Sequence, residues 1–173
     1  LINGSDLNNN AVFIEKIPNN IGPYTIGRKI ASGGYAEIYS AKSRITNDEV
    51  VMKIFEKLGF QKNPEDLLLV KNEIEVLKIW KHLNILTLYE IYESPKYFFI
   101  VTEKLSSELI DLILIKKRLN EGDALKIFIQ LVDAMLYMHK MNVCNRDLRI
   151  EHILFDSNNI PKHIAIIMDG NGR

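Results

Sequence analysis

From Tyr24 to Glu103 the apolar residues fall in short segments of β character, and a single stretch of helical period interrupts them. Tyr24–Ala31, Glu37–Lys42 and Glu49–Phe55 alternate or are rich in β-branched and aromatic residues, with turn residues between them. They predict an antiparallel meander. Asn63, Pro64, Glu65 and Asp66 then give a helix start, and Val70, Ile74, Leu77 and Trp80 an apolar stripe at helical spacing to about His82. Two more strands are expected at Ile85–Tyr92 and Tyr97–Glu103, a short helix at Ser107–Lys117, and a long one capped by Asn120. In the long helix Leu125, Phe128, Val132 and Met135 are expected to form the buried stripe through Met138. Strands segregated ahead of helices make an α+β chain, and no internal repeat is visible.

Composition bounds the function. At 173 residues the chain holds one domain, or a small lobe and part of a second. It carries 22 basic and 22 acidic side chains, without the basic excess a general nucleic-acid binder needs. One cysteine, Cys144, excludes a disulfide framework, and it is expected in the core. The histidines 82, 139, 152 and 163 are scattered without metal-ligand spacing. No apolar run approaches a bilayer span and no signal pattern opens the chain, so a cytoplasmic location is expected. Residues 1–22, with six asparagines, read as a flexible leader, with Phe13 and Ile14 placed to dock on the body. The chain opens on Leu1 rather than methionine, as a fragment would.

The most informative stretch is Cys144-Asn145-Arg146-Asp147-Leu148-Arg149, between the long helix and the β-like Ile153-Leu154-Phe155. Upstream lie a glycine-containing hairpin (Ile30 to Ile38 through Gly33 and Gly34), a lysine ending an apolar strand (Val50-Val51-Met52-Lys53) and a helical glutamate, Glu73. In that order and at those separations the chain resembles the eukaryotic protein kinases over about residues 24–162, nearest the serine/threonine branch of calcium/calmodulin-dependent and AMP-activated kinases.

The resemblance implies a protein-kinase-like fold: a β-rich N-lobe with one helix over residues 23–103 and an incomplete, mainly helical C-lobe over 104–159. It also implies ATP and Mg2+ as cofactors, protein serine or threonine hydroxyls as acceptors, and no membrane span; it leaves the oligomeric state open. The hairpin would fold over the phosphates, Gly33 keeping Cβ atoms out of their way while Ala31 and Ala36 replace the outer glycines. Lys53 would bond the α- and β-phosphates, held by Glu73, with Glu75 the rival partner. Ile30, Ile38 and Val51 would roof the adenine and Leu154 floor it. Glu103 and Leu105 would offer backbone groups, Thr102 would limit access behind the ring, and Glu108 would approach the ribose. Asp147 is the matched catalytic aspartate, and Arg149 stands where the family has lysine.

Three departures favour a second reading, a non-catalytic nucleotide-binding or scaffold module. Asn145 replaces a histidine, His152 replaces a magnesium-binding asparagine, and no Asp-Phe-Gly follows Pro161-Lys162. Asp169 is the nearest replacement for the missing metal ligand. With the later C-lobe elements absent, the helix at 120–140 should expose an apolar face. Residues 160–173 form a separate tail segment, Ile160-Pro161-Lys162-His163 through Asp169-Gly170-Asn171-Gly172-Arg173. It resembles the first motif of the cis-prenyltransferases, the undecaprenyl-diphosphate synthase family, which implies a third reading as a piece of a prenyl-diphosphate enzyme.

Overall fold

The structure, a computed structural model, describes residues 16–33, 36–58, 64–145, 148–156 and 164–166. In chain order its elements are β1 (Asn20–Ile21), β2 (Tyr24–Ser32), β3 (Ala36–Ser43), β4 (Glu49–Glu56), α1 (Pro64–Ile79), β5 (Leu88–Glu93) and β6 (Tyr97–Glu103). After these come β7 (Ser107–Glu108), α2 (Leu109–Lys116), α3 (Glu121–Lys140), one helical turn at Ile150–His152, β8 (Ile153–Phe155) and β9 (Ile164–Ile166).

The first six strands make one antiparallel sheet in the order β1-β2-β3-β4-β6-β5. Alternation along β4 divides its side chains between two faces. Val50, Met52 and Ile54 join Tyr24, Ala41, Tyr97, Phe99 and Val101 on one. Phe55 joins Ala36, Phe98 and Ile100 on the other, where Val70 and Ile74 of α1 cover them. The apolar stripe expected on α1 is present: Val70, Ile74, Leu77 and Trp80 are all buried. Its far end turns away from the sheet. Trp80 packs with Ile85 against Ala134 and Met138 of α3 and Ile166 of β9, so one stripe serves both halves of the chain.

A second, three-stranded sheet has the order β7-β8-β9. Ile164–Ile166, inside the tail segment, pairs antiparallel with Ile153–Phe155, while Ile166 also bridges Ile85. No helix among the described residues is long and apolar enough to cross a membrane.

Several expectations are corrected. The leader ends earlier than Gly22: Ile17 packs on the sheet and Asn20–Ile21 pairs with Tyr24–Thr25, because Ile17 and Ile21 are the apolar groups that cover that face. Residues 1–15, with Phe13 and Ile14, lie outside the described residues, as does Asn63. The strand expected from Ile85 starts at Leu88, since Ile85 is drawn into the Trp80 cluster. The helix expected from Ser107 starts at Leu109, because Ser107 and Glu108 pair with β8. On α3, Leu125, Phe128 and Val132 are exposed; the buried residues are Asp123, Ile127, Ala134 and Met138. That helix is apolar on two sides, and period alone does not say which side is covered. Cys144 is exposed rather than core.

Candidate nucleotide cleft

Strand register assembles the candidate site. Directly opposed residues in adjacent strands share a face. Ala36, Phe55 and Phe98 form one row across β3, β4 and β6; Ile38, Lys53 and Ile100 form the next; Ser40, Val51 and Thr102 form the third. The side of the sheet that α1 covers therefore carries Ile38, Val51, Lys53 and Thr102 together. Ile38 and Val51 are half-buried, and Thr102 is buried. The Lys53 ammonium lies over the Phe55 ring, 5.1 Å from its centroid.

Ile30 differs from the other roof residues. Lys29 pairs with Tyr39 and Ala31 with Ile38, so Ile30 is the extra residue of a β-bulge, and it is 53 % exposed. The hairpin closes with the Gly33 amide donating to the Ala36 carbonyl at 2.8 Å; Gly34 and Tyr35 between them lie outside the described residues. A strap stiffens it. Lys29 Nζ donates to Glu37 Oε1, and Tyr39 Oη donates to Glu37 Oε2 at 2.8 Å. The bond from Lys29, then that from Tyr39, hold the Glu37 carboxyl below its ordinary range, and the same contact raises the Tyr39 hydroxyl.

Glu73 sits on α1 immediately before Ile74, which packs on Phe55 and Ile100. Its side chain is outside the described residues. Glu75, the rival, faces away: its side chain is 70 % exposed and pairs with Lys78 at 2.6 Å.

The connection out of β6 is anchored at both ends. Thr102 Oγ1 donates to the Glu103 carbonyl at 3.2 Å. Glu103 is fixed to Thr87 twice: its amide donates to the Thr87 carbonyl (3.0 Å), and its Oε1 accepts from the Thr87 amide (2.7 Å). Lys104 pairs with Glu49 at 2.5 Å. Leu105 is half-buried, and its neighbour Ser106 donates from its amide to Phe155 O (3.0 Å) and from Oγ to Asp156 Oδ1 (2.8 Å). Leu154 is half-buried and pairs with Glu108. Burial, then the Asp111 and Glu151 charges, raise the Glu108 carboxyl above its ordinary value.

Sequence reasoning missed a polar joint below the cleft. His82 Nδ1 accepts from the Asn84 amide at 3.1 Å, which leaves Nε2 to carry the proton toward Asp133 Oδ2, 3.3 Å away on α3. Asn84 Nδ2 donates to Gln130 Oε1 (3.0 Å), and Tyr137 Oη accepts from the Lys81 amide (3.2 Å) while its ring lies 4.9 Å from His82. The segment leaving α1 is thus fastened to the helix that leads into the Asn145 loop. The sequence signal for it is a polar His-x-Asn beside apolar Trp80 and Ile85.

Arg146 and Asp147 lie outside the described residues, as does Asp169. Asn145 and His152 are half-buried and Arg149 is exposed, its carbonyl accepting from the His152 amide at 3.0 Å. No three carboxylate, imidazole or thiol groups converge among the described residues.

Comparison with known proteins decides the lineage. The family model described as protein kinase domain matches residues 24–167. The chain belongs to the protein kinase family. It is similar to CBL-interacting serine/threonine-protein kinase 24 of Arabidopsis thaliana, 40 % identical over 80 % of this chain and 31 % of that protein. It is also similar to calcium-dependent protein kinase 4 of Plasmodium berghei, 34 % identical over 94 % of this chain and 29 % of that protein. Among solved structures it is similar to Rad53 in complex with AMP-PNP, with a TM-score of 0.78 and 26 % identity over 86 % of this chain and 39 % of that one. The chain thus spans about a third of the length of the curated kinases it matches. The fold class expected from the sequence is the one these kinases share. The match runs on to residue 167, past the start of the tail at 160, and takes in β9.

Proposed function

We propose that this kinase chain binds ATP between the α1-covered side of the first sheet and the β7–β8 edge, in the setting of a protein serine/threonine kinase. The observation that carries the reading is the register of β3, β4 and β6, which sets Ile38, Val51, Lys53 and Thr102 on one side of the sheet. Ile38 and Val51, with Ile30 at the bulge, offer adenine an apolar roof, and Leu154 offers the floor. The Glu103 carbonyl and Leu105 amide supply directional bonds along the connection. Lys53, steadied by Glu73, takes the α- and β-phosphates, and Gly33 lets the hairpin backbone approach them. The Rad53 structure carries an ATP analogue, which supports this assignment.

In the reaction proposed for this kinase, a substrate serine or threonine oxygen bonds the γ-phosphorus as the bond to the β-phosphate oxygen breaks. The hydroxyl proton passes to Asp147 and ADP leaves; Arg149 adds positive charge to the phosphoryl oxygens. Protein substrates and a cytoplasmic setting follow the same family reading.

Magnesium fits less well. The donors the sequence offers are Asp169 and His152, and an imidazole is a poor ligand for a cation that demands hard oxygens. That donor set favours, as a second reading, a nucleotide-binding module without transfer. The prenyl-diphosphate reading of residues 160–173 draws no support from the fold, since β9 is built into the sheet with β8.

The test is transfer of labelled γ-phosphate to a serine/threonine peptide library, with Asp147→Asn as control. Transfer lost in the variant supports the kinase; ATP binding with no transfer in either chain supports the non-catalytic module; no ATP binding overturns both.

A further inference from the structure

The glycine-bearing hairpin carries a polar network on the side of the sheet opposite the candidate cleft. Glu37 and Tyr39 pair with Ile54 and Met52, so both face the cluster that includes Tyr24, Val50 and Phe99, and Tyr39 packs on it. Lys29, opposite Tyr39, faces the same way. There Glu37 accepts from Lys29 through Oε1 and from Tyr39 through Oε2, the latter at 2.8 Å. An isolated surface ion pair does little. This carboxylate is held at both oxygens, and one of its donors is a ring seated on the core.

What the network spans gives it a task. Alternation from Lys29 turns Ile30 onto the α1-covered side, and pairing with Ile38 puts Ala31 on that side as well. Two consecutive residues facing one way are the bulge. It sets the three steps from Lys29 to Ser32 against the two from Tyr39 to Glu37. The Lys29–Glu37 bond runs diagonally across that mismatch, behind it. Ile30 is 53 % exposed, so its own packing does little to fix it.

We propose that Glu37, through Lys29 and Tyr39, is a positioning residue for nucleotide binding: it locks the bulge that holds Ile30 over the adenine ring and takes no part in holding the phosphates. Resting on the nucleotide reading, this assignment adds the device that sets one wall of the base pocket.

Calorimetric titration of adenosine and of ATP into the full chain tests it. Glu37→Lys and Lys29→Glu should each weaken both ligands by the same factor, about threefold to fivefold, with circular dichroism unchanged. The double variant Lys29→Glu/Glu37→Lys should bind both as the parent does. Lys29→Met, which loses only the ammonium, serves should either reversal misfold. Lys53→Met gives the contrast, losing ATP while keeping adenosine. Equal loss for both ligands with recovery in the double variant supports the assignment. A loss confined to ATP, no loss at all, or no recovery overturns it and leaves the nucleotide reading standing. A parent chain that binds neither ligand overturns both.

Discussion

The Lys53 ammonium stands 5.1 Å above the centroid of the Phe55 ring, two residues along the same strand. That relationship fixes which way the lysine faces. Phe55 is buried against Val70 and Ile74, so Lys53 lies on the α1-covered side of the sheet rather than at an outer strand edge. A cation over an aromatic face gains about 0.5–1 kcal/mol at a partly exposed site, enough to hold a head group near one position before a phosphate arrives.

Gly33 separates folding from binding. A Cβ built there meets nothing closer than the Ala36 carbonyl oxygen at 3.5 Å, and Gly33 is not among the positive-φ positions. The protein itself has no steric need for glycine there. Gly33→Ala should leave the thermal midpoint within about 1 °C and weaken ATP binding several-fold, as a methyl group intrudes on the phosphate approach. Differential scanning fluorimetry beside an ATP titration checks both halves.

Gly22 is the opposite case. Its φ is +50°, and an added Cβ would run into the phenol ring of Tyr92, which packs edge-on against buried Tyr24. Gly22→Ala should cost about 1–3 kcal/mol in urea unfolding, from backbone strain and overpacking together. A variant as stable as the parent would mean that the turn between β1 and β2 is not formed as described.

The Glu108 carboxyl carries a pH signature. Burial and the Asp111 and Glu151 charges raise it above its ordinary value of 4.5, so the folded chain holds this proton more tightly than the unfolded chain. Its contribution is complete below 4.5 and is lost as pH rises through the raised value. Glu108→Gln, which keeps an acceptor for the start of α2, should therefore stabilise the chain at neutral pH. The gain should vanish below the ordinary carboxylate range in urea unfolding followed across pH.

Much of the first sheet was legible because β-branched alternation along Tyr24–Ala31, Glu37–Lys42 and Glu49–Phe55 leaves little else for those residues to form. Lys53 was legible as a site candidate only through the kinase-like order in which it falls, between the Gly33 hairpin and the Glu73 helix, since by itself a lysine on a strand has an ordinary solvated reading. The bulge at Ile30 was not: it depends on the pairing of Lys29 and Ala31 across β3, a relation between strands that no single strand records. The wrong buried stripe on α3 has a similar origin, since Leu125-Phe128-Val132 and Ile127-Ala134-Met138 share one period and differ in which face meets α1's Trp80. The His82–Asp133 joint joins residues 51 positions apart, so the His-x-Asn pattern at one end names no partner on α3.

The most direct test of the account is calorimetric titration of ATP into the parent chain and into Lys53→Met, whose side chain can still pack on Phe55. The account predicts saturable one-to-one binding to the parent and at least a tenfold loss in the variant, with both chains unfolding at the same temperature. Equal affinity in the two would contradict it.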